Sequence, residues 1–189
     1  TGTYHLNGQL IQNLSESRAA ELRNQMIGFI FQSFNLISFK NAVENVALPL
    51  YYQGINRKKR NAMAMEYLDM VGLKDWAEHM PNEMSGGQKQ RLSIARAIAK
   101  NPKIFLFDDS FSALDYKTDV VLRRALKEKV SDATVIIVAQ RISTILHADQ
   151  IIVLEDGHVA GIGRHEELLE SCEAYQEIAK SQLSESELK

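Results

Sequence analysis

The 189 residues carry 22 basic and 24 acidic side chains, a formal charge of −2, with 45% apolar and 24% charged residues. That composition is ordinary for a globular protein, and the absence of a basic excess argues against a nucleic-acid partner. The single cysteine, Cys172, permits no internal disulfide, which fits a reducing compartment. It lies in a polar stretch and reads as a bystander thiol. No apolar run approaches the roughly 20 residues that a spanning helix needs. The first eight residues show no signal-peptide pattern and resemble the middle of a domain.

In chain order, the pattern predicts a strand at 3–6, a helix at 15–23 that Ser15 starts without a capping box, and a strand at 27–31. From 44 to about 100 the periodicity is helical. Ala62, Met63, Met65, Tyr67, Leu68 and Val71 form an apolar stripe, read as core, and Gly72 stops the helix. The basic run Arg57-Lys58-Lys59-Arg60 reads as a solvated face. A second amphipathic helix opens at Ser85-Gly86-Gly87, buries Leu92, Ile94, Ala95 and Ile98, and ends before Pro102. The apolar run 104–107 predicts a strand covered on both faces. A helix at 116–130, a strand at 134–138, a helix at 142–147 and a strand at 150–154 follow. Asp156-Gly157 makes a hairpin turn, and a mostly polar helical tail covers 166–183. Alternating strands and helices predict an α/β fold with a parallel sheet.

Two features carry chemistry. Ser85-Gly86-Gly87-Gln88 stands at a helix start, where unpaired N–H groups and a partial positive charge favour a phosphate. Taken alone, it reads equally as a capped helix behind a flexible glycine pair. The buried strand 104–107 runs into Asp108-Asp109, acids at the carboxyl edge of a parallel strand, where open α/β sheets bind ligands. Adjacent strand residues point opposite ways, so one carboxylate can orient a magnesium ion and the other can address a nucleophile.

The order Gln32, Ser85-Gly86-Gly87-Gln88, Asp108-Asp109 and Ser112-Ala113-Leu114-Asp115 resembles the ABC ATPases, through their Q-loop, signature motif, Walker B strand and D-loop. The resemblance spans residues 1 to about 180. It implies a P-loop NTPase-like parallel sheet with flanking helices plus an all-helical signature subdomain. Residues 1–43 would be part of the catalytic core, 44–100 the helical subdomain, and 101–189 the rest of the core. It further implies an ATPase subunit, on the cytoplasmic face of a membrane, that drives transport with ATP and Mg2+. Its partners would be a second cassette packed head to tail and the transporter's transmembrane domains. Gln32 would contact the magnesium ion and attacking water. Ser85, Gly86, Gly87 and Gln88 would serve ATP held by the partner, Asp108 the magnesium ion, and Asp115 the dimer interface.

The sequence departs from this pattern in three ways. It contains no G-x-x-x-x-G-K-[ST] loop, the N–H cradle and lysine for ATP's phosphates; the resemblance implies a domain lacking its first strands and that loop. Asp109 stands where the family has Glu, drawing the carboxylate back by roughly 1.5 Å. Gln140 replaces the switch histidine, so an amide takes the place of a chargeable imidazole. Asp109 and Gln140 as the catalytic pair resemble the degenerate subunit of heterodimeric exporters, in which one site mainly holds nucleotide. A non-hydrolysing regulatory partner and a soluble, non-transport ABC ATPase are the alternatives.

The two halves resemble different branches. Residues 31–36 and 44–50 look like macrolide-export and lipoprotein-release ATPases. From about Phe107, with 139–143 and 163–168, the chain looks like multidrug and lipid exporters. That mismatch implies a recombinant or mis-assembled sequence joined within 84–102. The missing phosphate loop sets one expectation: the 189-residue chain alone binds Mg-ATP weakly or not at all. Micromolar affinity in calorimetry would contradict it.

Overall fold

The computed structural model describes residues 2–110 and 132–183. The chain divides into two compact units, Thr1–Ile136 and Ile137–Lys189.

The first unit opens with a small antiparallel hairpin, β1 (His5–Leu6) and β2 (Gln9–Leu10). Helix α1 (Glu16–Met26) follows, its start capped by the Ser15 hydroxyl, which accepts from the Arg18 N–H. The chain passes directly into β3 (Ile27–Ile30), which pairs in parallel with β4 (Ile104–Asp108). The first residues of β5 (Thr134–Val138) extend this sheet beyond β4, giving the order β3-β4-β5. Phe105 and Phe107 are buried, whereas Ile104 and Leu106 are only half-buried. The expectation of a strand covered on both faces is therefore corrected: one face is closed and the other is partly open. Val135 and Ile136 remain exposed.

Between the first two sheet strands lie helices α2 (Ala42–Tyr52), α3 (Arg57–Met70) and α4 (Gly86–Ala99), with short 3-10 turns at Lys74–Trp76 and Pro81–Glu83. Helix α2 begins two residues before the expected position, because Asn41 and Glu44 form a reciprocal capping box. Val46, Leu50, Leu68, Leu73, Leu92 and Ile94 make the core of this helical layer, all essentially buried. Burial of a large aliphatic side chain contributes about 1.5–3 kcal/mol, so this layer rests on apolar contact. The predicted stripe on α3 is shifted. Ala62 is exposed, and the buried positions are Ala64, Leu68 and Val71, at the i, i+4, i+7 spacing of one helix face. The basic run lies mostly exposed on the first turn of α3, as expected of a solvated face.

Gly72 ends α3 as the sequence predicts. Its φ of +66° turns the chain left-handed, the Leu73 N–H donates to the Leu68 carbonyl at 2.8 Å, and the Gly72 N–H donates to Asp69 at 3.0 Å. This is the paired closure of a Schellman motif, and both Leu68 and Leu73 are buried beneath it.

In the second unit, β6 (Ile151–Glu155) and β7 (His158–Gly163) form an antiparallel hairpin about Asp156-Gly157, both with positive φ, as expected of that turn. Two predictions are corrected here. The helix at 142–147 is a single 3-10 turn, Ile142–Thr144. The tail is two helices, α5 (His165–Ser171) and α6 (Glu173–Gln182), broken at Cys172. Cys172, in a stretch that is polar in sequence, is buried with Ile142, Ile151, Val153, Leu168, Tyr175 and Ala179. Gly161 makes room for it, since a Cβ there would lie 2.9 Å from the Cys172 sulfur. The predicted helix at 116–130 lies outside the described residues.

Gly72→Ala would place a Cβ in the left-handed region at the closure of α3. It is expected to lower stability by about 1–2 kcal/mol, read as a lower urea midpoint at unchanged m-value.

Candidate functional site

The register of β3 and β4 sets the site. Ile30 stands opposite Phe107, so the turn bearing Gln32 and the Asp108-Asp109 pair leave the same carboxyl edge of adjacent parallel strands. Gln32 is exposed in a turn closed by the Phe34 N–H donating to the Phe31 carbonyl at 3.1 Å. Asp108 ends β4, half-buried. Asp109 follows with φ +43°. Strand alternation therefore does not set the direction of Asp109; a left-handed turn does, and aspartate tolerates that region better than most residues.

Ser110, which the sequence reading passed over, ties the two strand ends together. It is buried, and its hydroxyl is placed to donate to the Ile30 carbonyl at 2.9 Å and lies 3.2 Å from the Asp108 carbonyl. A serine after two acids carries no local signal, because its partner is 80 residues away.

The segment after Gln32 is held by two further residues. Phe34 and Asn35 both adopt positive φ. Arg96 of α4 donates to their carbonyls, at 3.0 Å to Phe34 and 2.7 Å to Asn35. Burial lowers the Arg96 pKa from its ordinary value, and burial followed by the Arg96 charge lowers that of Lys100. Lys100 anchors the end of the same helix, its ammonium donating to the Ile27 carbonyl at 2.7 Å. Asn45, fully buried, organises the loop 37–41. Its Oδ1 accepts from the Ile37 N–H at 2.8 Å, and its Nδ2 donates to the carbonyls of Ile37, Lys40 and Asn41.

At the other end of α4, Ser85 is the N-cap. Its hydroxyl accepts from the Gln88 N–H at 3.3 Å, and the Gln88 side chain accepts from the Ser85 N–H at 2.8 Å. Gln88 thus has a structural task in a capping box. The box leaves the N–H groups of Gly86 and Gly87 without intrahelical acceptors. Ser85 and Arg96 are eleven residues apart on one helix, roughly 16 Å at 1.5 Å per residue. Ser85–Gln88 therefore does not converge on the turn that follows Gln32 within this chain.

Gln140, in the second unit, is exposed just after β5. Asp115 and the rest of 111–131 lie outside the described residues. Among the described residues no three His, Cys, Asp or Glu side chains cluster closely enough to hold a metal ion, and no helix is long and apolar enough to cross a membrane.

A parallel pair of strands that brings Gln32 and Asp108-Asp109 to one carboxyl edge, joined to a helical layer whose α4 is capped by Ser85 ahead of two glycines, is an α/β architecture with an edge open to a ligand. Comparison with known proteins identifies it further. The family model for ABC transporters matches residues 1–112. The uncharacterized ABC transporter ATP-binding protein YknY of Bacillus subtilis is 40% identical over 160 residues, 84% of this chain and 70% of that protein. The methionine import ATP-binding protein MetN of Bartonella henselae is 39% identical over 173 residues; the match covers 90% of this chain and 50% of MetN. Among solved structures, the dimeric post-hydrolysis state of the ATP-binding cassette MJ0796, bound to ADP and Pi, superposes with a TM-score of 0.81 at 36% identity, covering 87% of this chain and 73% of that one. The chain belongs to the ABC transporter family, as an ATP-binding protein with the fold of its ATPase cassettes. These relatives are transporter ATP-binding proteins, which does not favour the soluble, non-transport alternative.

Asn45 tests the support behind Gln32. Asn45→Ala should cost roughly 2–3 kcal/mol, because it strands several backbone groups. Asn45→Asp should cost more, because a carboxylate oxygen then faces three carbonyls. Urea unfolding of the three proteins should rank them in that order.

Proposed function

We propose that this chain is the weakly hydrolysing member of a pair of ATP-binding cassettes, working at the cytoplasmic face of a membrane with the transmembrane domains of a transporter. One observation carries the reading. Gln32 and Asp108-Asp109 share one sheet edge, whereas Ser85–Gln88 stands about 16 Å of helix from the residue that holds the turn after Gln32. The two sets then serve two different nucleotides, one held by this chain and one by a partner cassette packed head to tail.

The residues fit Mg-ATP in a limited way. The unbonded N–H groups of Gly86 and Gly87, at the positive end of α4, suit a γ-phosphate presented from outside. A Cβ at Gly86 would meet nothing within 4 Å in this chain, and the residue has no positive φ. The fold therefore gives no reason of its own for glycine there; an incoming phosphate does. Magnesium needs only one or two carboxylates when phosphates and waters complete its octahedron, so Asp108 with Gln32 fits an ion that arrives with the nucleotide. Bound Mg-ATP supplies the phosphoryl group and the charge that offsets it. Asp109 would then orient the attacking water, with less reach than glutamate, and Gln140 would donate an amide hydrogen to the γ-phosphate without carrying charge. Asp115 would face the partner across the dimer. The helical layer from 44 to 100 would carry the signature, flanked by catalytic-core segments at 1–43 and 101–189.

The test is steady-state ATPase of the complete subunit with its partner, the partner's catalytic glutamate intact or removed. Asp109→Glu and Gln140→His should each raise turnover at this chain's own site slightly. The double change should raise it more than the product of the two, since both groups act on one transition state. Ser85→Ala or Gly87→Asp should instead impair hydrolysis at the partner's site. If Gly87→Asp leaves the partner's turnover untouched, the head-to-tail assignment is wrong.

A further inference from the structure

Helix α6 ends on a polar side chain with two backbone partners. Tyr175 and Ala179 are buried, and Gln182 continues their i, i+4, i+7 row to the exposed end of the same face. There the Gln182 amide pairs with the backbone on both sides of Arg141. Its Nε2 donates to the Gln140 carbonyl at 2.9 Å, and its Oε1 accepts from the Ile142 N–H at 2.9 Å. Arg141 is extended, with φ −109° and ψ 125°. In extended backbone the carbonyl before a residue and the N–H after it point the same way, so one primary amide satisfies both, as a neighbouring strand would.

We infer that Gln182 is a positioning residue for Gln140, fixing the peptide that follows it and so the direction in which the Gln140 side chain meets a nucleotide. The inference rests on the proposed role of Gln140. The clamp has a rigid base: Ile142, one of its two ends, is buried in the same cluster as Tyr175 and Ala179. The chain from 140 to 142 is thus referenced to the core of the second unit through α6. The C-terminal helix thereby sets the direction of Gln140, and displacement of its last turn would release it.

The experiment uses the complete subunit in its transporter, with the partner's phosphate-binding lysine substituted so that only this chain's site takes nucleotide. Gln182→Ala is expected to weaken Mg-ATP binding about fivefold, roughly one net hydrogen bond, and to lower turnover at this site no further than Gln140→Ala does. Hydrogen exchange at the Ile142 amide should quicken. Gln182→Glu keeps an acceptor for Ile142 but turns a carboxylate on the Gln140 carbonyl. It should preserve Ile142 protection and lose affinity as alanine does. In a Gln140→Ala background neither change should weaken binding further. Losses that persist undiminished in that background, or no loss at all, overturn the positioning role while leaving Gln140 as a nucleotide contact. If Gln140→Ala itself leaves affinity unchanged, the reading of Gln140 fails, and this inference fails with it.

Discussion

Helix α4 is the member on which the first unit depends. One end is fixed by the reciprocal capping of Ser85 and Gln88. Its middle is fixed by the burial of Leu92, Ile94 and Ala95. The other end is fixed by two cations on backbone carbonyls, Arg96 on the turn after Gln32 and Lys100 on the first residue of β3. Charge-assisted bonds of this kind are about twice as strong as neutral ones, and partial burial of both cations raises the cost of leaving them unpaired. A helix pinned at both ends cannot shift its Ser85–Gln88 turn without disturbing the segment that follows Gln32. Under the proposed head-to-tail pairing, such a member would relate one nucleotide to the other.

The remaining supports follow one physical pattern, a polar side chain closing irregular backbone. Asn45 satisfies a loop that has no ladder of its own, Ser110 bridges two strand ends, and Gln182 stands in for a missing strand beside Arg141. Each does so where the backbone leaves regular structure. Buried N–H and C=O groups need partners, and side-chain amides and hydroxyls supply them without imposing a strand or helix. The family's chemistry therefore stands on residues that carry none of it.

How much of this was legible varies by element. The α3 stop at Gly72, the Asp156-Gly157 hairpin, the strands near 27–31, 104–107 and 134–138, and the buried set Leu92, Ile94, Ala95 and Ile98 could all be read from the chain. Each is fixed by neighbours within a few residues. Two signals were present but missed: Asn41 with Glu44, and Ser85 with Gln88, are both capping boxes at the expected spacing. Ala62 lies off the buried face of α3, because several registers of a Met- and Ala-rich helix bury similar apolar area and only the packed neighbours choose among them.

The sequence by itself determined the family, the order of the motifs, the helix stops and the chemistry available at Gln32, Ser85–Gln88, Asp108, Asp109 and Gln140. Those depend on residue type and local spacing. Only the tertiary structure decided that Asp109 turns left-handed, that Cys172 is buried under Gly161, that the tail breaks into two helices, and that Ser110, Arg96 and Gln182 hold the functional segments. Their partners lie 80, 61 and 42 residues away. A hydrogen bond across that distance leaves no periodicity in the chain, because nothing but the folded path brings its two ends together.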